Sequence, residues 1–362
     1  MTSISKLSLA ALLIGGSALA SCGGGGGGNG SGGGGQPVTP PTGATNPPTG
    51  APTPTPLPTN PATTNAAGFP QGFWDASNIP PAKNVMMFKF LNRTNGKYPD
   101  SQVYWQANIN GVKTTYSIAQ QPTFDMPANS SGRIYFYLGN VGTNSNDYYD
   151  FIEYTISPTT FNGNTTRVDA FGIKVAMYLH CADGYEVQVG ENAATFAEDR
   201  SVTFQRFISA VPAAFQSLGT IDAPYRIPSP GNSDGFGSGG ANQNYYNSYV
   251  QQIWANNPLS AIPTPGPNGS GLANYPDLSA AIMRHVGAAP GSFTSDGKVA
   301  SQSTWASSST FYTAEPADYY AKFWHDNAIN GKAYGFPYDD VGGYSSYISH
   351  NNPQYILIAI GW

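Results

Sequence analysis

Between Gly68 and Leu179 the chain is a succession of short segments rich in β-branched and aromatic residues: NVMMFKFLN, SQVYWQANING, KTTYSIA, GRIYFYLG, DFIEYTIS and VDAFGIKVAMYLH. Asn, Gly, Pro and Ser separate them, so apolar runs of strand length alternate with turn residues. Asn110-Gly111 between two such runs suits a type I′ turn, in which both central residues need positive φ. This half of the chain therefore reads as an antiparallel β-sandwich.

The middle changes period. Phe204, Phe207, Ile208 and Val211 recur at helical spacing, as do Tyr246, Val250, Ile253 and Trp254. A third helix is expected in PADYYAKFWHDNAING, with Pro316 in its first turn and Gly331 just past its end. Residues 182–330 read as a mixed α/β subdomain inserted into a β domain made of residues 68–181 and 331–362. The apolar run Tyr355 to Ile360 needs two covered faces, which places it inside a sheet that closes the sandwich.

Composition narrows the partners. Charged residues make up 10% of the chain, the net charge is -5, and no Lys/Arg cluster occurs. Nucleic acid, whose binding rests on phosphate neutralisation, is excluded as a partner. A surface of neutral hydrogen-bonding groups with 23 Tyr and 6 Trp suits a neutral glycan instead.

Residues 1–22 have one Lys, a short apolar run and then small residues, the pattern of an export signal rather than a membrane span. Its end, Leu19-Ala20-Ser21-Cys22, resembles a bacterial lipobox, which implies acylation at Cys22 and display at the cell envelope, with the membrane met through that lipid anchor alone. Residues 23–67, Gly-rich and then Pro/Thr-rich, cannot bury enough apolar area to fold and are expected to be a disordered stalk. With Cys22 acylated, Cys181 has no disulfide partner and reads as a buried structural thiol.

Four His without an HExxH pattern and without paired Cys give no support for a zinc site, and no cofactor is expected. NSNDYYD has oxygen ligands but not the EF-hand spacing. GNSDG at 231–235 matches a nucleophile elbow in letters only, since prolines and glycines flank it where a strand and a helix are required. Carboxylates remain. Glu153 and Asp169 interrupt runs that otherwise read as strands; alternation groups Glu153 with Phe151 and Thr155, and Asp169 with Phe171 and Ile173. Such acids are either solvated at strand ends or paired in a cleft, because an unpaired acid on an apolar face is costly.

DFIEYT, then NTTRVDAFGI, then GKAYGFPYDDVGG together resemble glycoside hydrolase family 64, the thaumatin-like endo-β-1,3-glucanases, over roughly residues 83–362. The resemblance implies a thaumatin-like antiparallel β-sandwich or barrel with an inserted α/β subdomain, and a groove between them that takes β-1,3-glucan. It implies Glu153 as general acid and Asp169 as general base, with inversion at the anomeric carbon. Thr155, Asn164, Thr166, Asp339 and Asp340 match family positions expected to line or shape the groove, and Tyr338 and Trp105, in the matching stretches, are the aromatic candidates for sugar contact. SPTTFNG, between the two acids, departs from the family in lacking an aromatic. A monomeric, lipid-anchored glucanase is the expectation; a non-catalytic glucan-binding protein on the same fold is the alternative.

Overall fold

The computed structural model describes residues 68–142, 147–253, 276–286 and 308–362. Cys22, the stalk, Trp254 and part of NSNDYYD lie outside the described residues.

The strands are β1 (Met86–Arg93), β2 (Val103–Ile109), β3 (Val112–Ser117), β4 (Thr123–Met126), β5 (Ser130–Leu138), β6 (Tyr148–Ile156), β7 (Thr160–Thr165), β8 (Ala170–Phe171), β9 (Lys174–Cys181), β10 (Glu186–Gly190), β11 (Ile227–Pro228), β12 (Ile348–Asn351) and β13 (Pro353–Gly361). They form a six-stranded sheet in the order β12-β7-β6-β5-β2-β3, a five-stranded sheet in the order β10-β9-β13-β1-β4, and the small pair β11-β8. Asn110 and Gly111 have φ of 53° and 82° and join β2 to β3, with Ile109 opposite Val112, as the turn signal required.

The two large sheets face each other across one apolar core. Alternation decides which side chains enter it: Ile152, Tyr154 and Ile156 of β6 point in, and Ile356, Ile358 and Ile360 of β13 meet them from the other sheet. The opposite face of β13, Tyr355, Leu357 and Ala359, packs under Phe69, Phe73 and Trp74. Both faces of the C-terminal apolar run are thus covered. One pairing departs from the antiparallel expectation: β13 runs parallel to β1 on one side and antiparallel to β9 on the other. The first and last strands are neighbours, and they enter the sheet from the same end.

The helices are α1 (Ala193–Ala197), α2 (Arg200–Ala210), α3 (Ala213–Gln216), α4 (Leu218–Ile221), α5 (Asn247–Ile253), α6 (Pro276–Met283) and α7 (Tyr319–Asp326). α7 starts later than the sequence suggests, because Asp318 caps it by accepting from the Ala321 amide at 3.0 Å, and Pro316 stands outside. The chain does not leave the β part at residue 182, since β10 extends the five-stranded sheet. It also does not return at 331: Phe336, Tyr338, Val341 and Tyr344 pack with α5 and α6, and the sheets resume at Ile348.

VDAFGIKVAMYLH is broken in two at Gly172. A Cβ there would lie 1.8 Å from the Tyr149 carbonyl oxygen, so the backbone passes where only glycine fits. Asp150 fixes the break, accepting from the amides of Gly172 at 2.8 Å and Ile173 at 3.3 Å. Phe171 and Ile173, which alternation put on one face, go to different cores as a result. Phe171 stacks on Trp324 of α7 at 4.5 Å, while Ile173 joins the inter-sheet core.

Arg167 stands at the centre of this junction, buried. It pairs with Asp150 at 2.7 Å and Glu191 at 2.6 Å, and donates to the carbonyls of Thr166 and Ile173. Burial works against its charge, but Asp150 and Glu191 outweigh it and hold Arg167 above the ordinary arginine range. Burial pushes both acids up, and Arg167 with backbone amides pulls them back. Arg167→Met would leave two acids buried without their cation and is expected to cost about 3–5 kcal/mol of unfolding free energy. Chemical denaturation measures this, and a loss well under 1 kcal/mol would contradict the role given to the network.

Candidate active site

Glu153 is central in β6, opposite Arg133 of β5 and Asn164 of β7 in register. Because Ile152 and Tyr154 fill the core, Glu153 is forced to the outer face with Phe151 and Thr155. Its Oε1 accepts from Arg133 Nε at 3.1 Å and lies 3.0 Å from Nη2, while Oε2 takes a long contact of 3.4 Å from Asn164 Nδ2. The guanidinium carbon lies over the Phe151 ring, 4.0 Å from its centre.

Asp169 is not in a strand. It sits in the bend between β7 and β8, and Arg133 Nη1 reaches its Oδ2 at 3.0 Å. One guanidinium thus joins both acids through different nitrogens. For Arg133, burial opposes the charge and Asp169 and Glu153 favour it, with a net upward shift. The side chains of Glu153 and Asp169 keep 27% and 47% of their surface exposed, so a ligand can reach both.

The Asp169 bend is held from several sides. Its carbonyl accepts from the Ser229 amide at 3.1 Å and from Asn232 Nδ2 at 3.0 Å. These residues belong to the PSPGNSDG loop that was set aside as a nucleophile elbow. Ser233 there accepts from the Gly235 amide and serves the loop itself. Two residues before Asp169, the buried Arg167 donates its amide to Tyr334 O at 2.7 Å, and its carbonyl accepts from Tyr320 Oη at 2.7 Å.

The other sequence candidates divide. Thr155 is half-buried on the Glu153 face, and Asn164 is buried beside Glu153. Thr166 is buried, with Oγ1 accepting from the Val168 amide at 3.2 Å, so it shapes the bend that leads to Asp169. Asp340 is exposed, and its carboxyl is raised by burial of its inner side and by the charge of Asp339. Tyr334, unmarked in the sequence, connects the segments: burial first, then Asp340, Asp339 and Glu153, push its phenol up, so it stays neutral next to the acids.

Two candidates are corrected. Trp105 has no exposed surface; it stacks on Phe90 at 4.8 Å and donates to the Gln121 carbonyl at 2.8 Å, so it is a core residue and not a sugar platform. Asp339 is likewise fully buried, bound by His325 Nε2 at 3.0 Å and Arg284 Nη2 at 3.0 Å. Burial would raise its carboxyl, but His325 and Arg284 hold it below the usual range, and it braces the segment that presents Asp340. Tyr338 is half-buried and packs against the helical cluster. A cavity of about 350 Å³ lined by Arg206, Phe323 and Asn327 shares no residue with the carboxylate pair.

A family model described as beta-1,3-glucanase, glycoside hydrolase family 64, matches residues 141–261 and 263–360. Glucan endo-1,3-beta-glucosidases of Cellulosimicrobium cellulans and Arthrobacter sp. (strain YCWD3) are each 42% identical over 55 residues, 15% of this chain. That match spans 10% of their own length. The crystal structure of a family 64 laminaripentaose-producing beta-1,3-glucanase from Paenibacillus barengoltzii is similar with TM-score 0.66 and 30% identity, covering 83% of this chain and 80% of that one. The same enzyme complexed with laminarihexaose gives TM-score 0.66 at 29% identity. A beta-1,3-glucanase domain from Clostridium beijerinckii shares the fold, with TM-score 0.63 at 22% identity over 78% of this chain and all of that one. The matched residues include both β6 with Glu153 and the bend with Asp169; by sequence and by fold, the chain belongs to glycoside hydrolase family 64, the beta-1,3-glucanases.

Proposed function

We propose that the protein is an endo-β-1,3-glucanase that cuts laminarin- or curdlan-type glucan, or fungal wall glucan, with inversion. The observation that carries this is the shared guanidinium: Arg133 holds two solvent-accessible carboxylates, one on β6 and one in the bend between β7 and β8, in one arrangement. Glycoside hydrolysis needs such a pair, one acid protonating the departing oxygen and the other activating water from the opposite sugar face.

In this reading Glu153 is the general acid and Asp169 the general base, and Arg133, which keeps its charge, binds Glu153 Oε1 and Asp169 Oδ2 and positions both. Asn164, at Glu153 Oε2, orients Glu153, and Thr155 and Asp340 are the proposed contacts to sugar hydroxyls.

Glu153→Gln and Asp169→Asn are each expected to lower oligosaccharide release from laminarin by about 10²–10⁴-fold while leaving the melting temperature unchanged. Full activity in either variant contradicts the assignment, and binding to curdlan without hydrolysis by the parent would favour a glucan-binding protein. Arg133→Met is expected to reduce kcat at least tenfold, with Arg133→Lys recovering part of the rate. A loss confined to KM would make Arg133 a substrate contact only.

The proposed site of action is the cell envelope, supported by the Leu19-Ala20-Ser21-Cys22 pattern and the stalk that follows it. In a bacterial host the parent should partition into the detergent phase of a Triton X-114 separation and Cys22→Ser into the aqueous phase; equal partitioning would remove the lipid anchor from the account.

A further inference from the structure

At the end of the sandwich away from the Glu153 strand register, the turn from β9 to β10 meets the edge strand β12. Three potential ligand atoms converge there: Cys181 Sγ, a carboxylate oxygen of Asp183 and a ring nitrogen of His350, all within 4.8 Å of one another. We propose that these residues bind one divalent ion of the zinc class and that the ion ties the β9–β10 turn to β12, joining the two sheets. None of them belongs to the carboxylate site.

Each ligand is already held in place by something other than a metal. Cys181 is wholly buried at the margin of the inter-sheet core. Asp183 is fixed by its Oδ1, which accepts from the Tyr185 amide at 3.1 Å, and this turns Oδ2 toward His350 Nε2 at 2.8 Å. The His350 ring is pinned by Tyr185, stacked on it at 3.8 Å with 9° between planes. The Ala182 amide donates to the Asn352 carbonyl at 2.9 Å, so the backbone of the turn is tied to the segment that carries His350.

The donor set selects the ion. Thiolate, imidazole and carboxylate together suit zinc, whereas calcium and magnesium take oxygen ligands. Ligand bonds of about 2.0–2.3 Å at tetrahedral angles put the ligand atoms roughly 3.3–3.8 Å apart, so binding opens the Asp183–His350 contact slightly and draws the longest separation in. His180 does not contribute, because it lies on the other side of β9, stacked on Tyr355 at 4.8 Å. The side chains of His350 and Asp183 remain 27% and 47% exposed, which leaves an entry path and room for water as the fourth ligand. On binding, the Cys181 thiol gives its proton to solvent and the sulfur forms the metal bond, with no change in oxidation state.

The test uses the full chain carrying Cys22→Ser, so that Cys181 is its one thiol, titrated with Cd²⁺. One ion per chain and a thiolate-to-cadmium charge-transfer band in the near ultraviolet are expected. Added Cys181→Ser should abolish the band, and Asp183→Ala and His350→Ala should each weaken affinity at least tenfold while laminarin hydrolysis persists. Zn²⁺ should raise the melting temperature of the Cys22→Ser protein and not that of its His350→Ala derivative. If Cys181→Ser does not fold, the two surface substitutions decide the matter. Absence of the band at excess Cd²⁺, or affinity undiminished by either surface substitution, overturns the three-ligand site.

Discussion

The buried pairing of Arg167 with Asp150 and Glu191 is the interaction on which the rest depends. Asp150 lies at the start of the core-facing run of β6, Arg167 lies after β7, and Glu191 follows β10. Three segments are thereby fixed to one guanidinium in a buried place, where loss of a partner leaves a charge uncompensated. Asp150 also takes the amides at the Gly172 break, so the same network sets the course of the chain immediately after Asp169. A second guanidinium, Arg133, then works at the surface on what the first has positioned. The buried arginine fixes the backbone, and the half-buried one holds the carboxylates.

The helical part contributes to the site through backbone as much as through side chains. Ser229 and Asn232 hold the Asp169 carbonyl, and Tyr320 of α7 holds that of Arg167. Trp324 of the same helix stacks on Phe171, two residues beyond Asp169. The proposed base is thus clamped between the sandwich and the helices, while the proposed acid belongs wholly to the sandwich. Among the described residues, Arg133 is the side chain that bonds to both carboxylates.

Much of the architecture was legible in local pattern. Alternation grouped Glu153 with Phe151 and Thr155, the face that the structure turns away from the core, and the two-sided burial of β13 followed from its unbroken apolar run. What failed was anything set by contacts distant in sequence. Asp169 looked like a strand residue because nothing local announces that Asp150 will break the run at Gly172. Trp105 looked available for sugar because an aromatic on a strand has two possible faces, and the register with β5 decides that it meets Phe90. Asp339 and Asp340 are adjacent acids with opposite fates, one sealed by His325 and Arg284 and the other left at the surface. Arg133, 20 residues from Glu153 and 36 from Asp169, carried no sequence signal beyond its place on a strand that pairs with β6.

The proposed mechanism has Glu153 and Asp169 act from opposite sides of one sugar ring. The stereochemistry of the first product tests this most directly. Proton NMR of laminarin during the earliest stage of hydrolysis should show the α-anomer of the new reducing end appearing first, with the β-anomer growing later by mutarotation. Initial release of the β-anomer would mean retention through a covalent intermediate, and would contradict the assignment of Asp169 as a base acting through water.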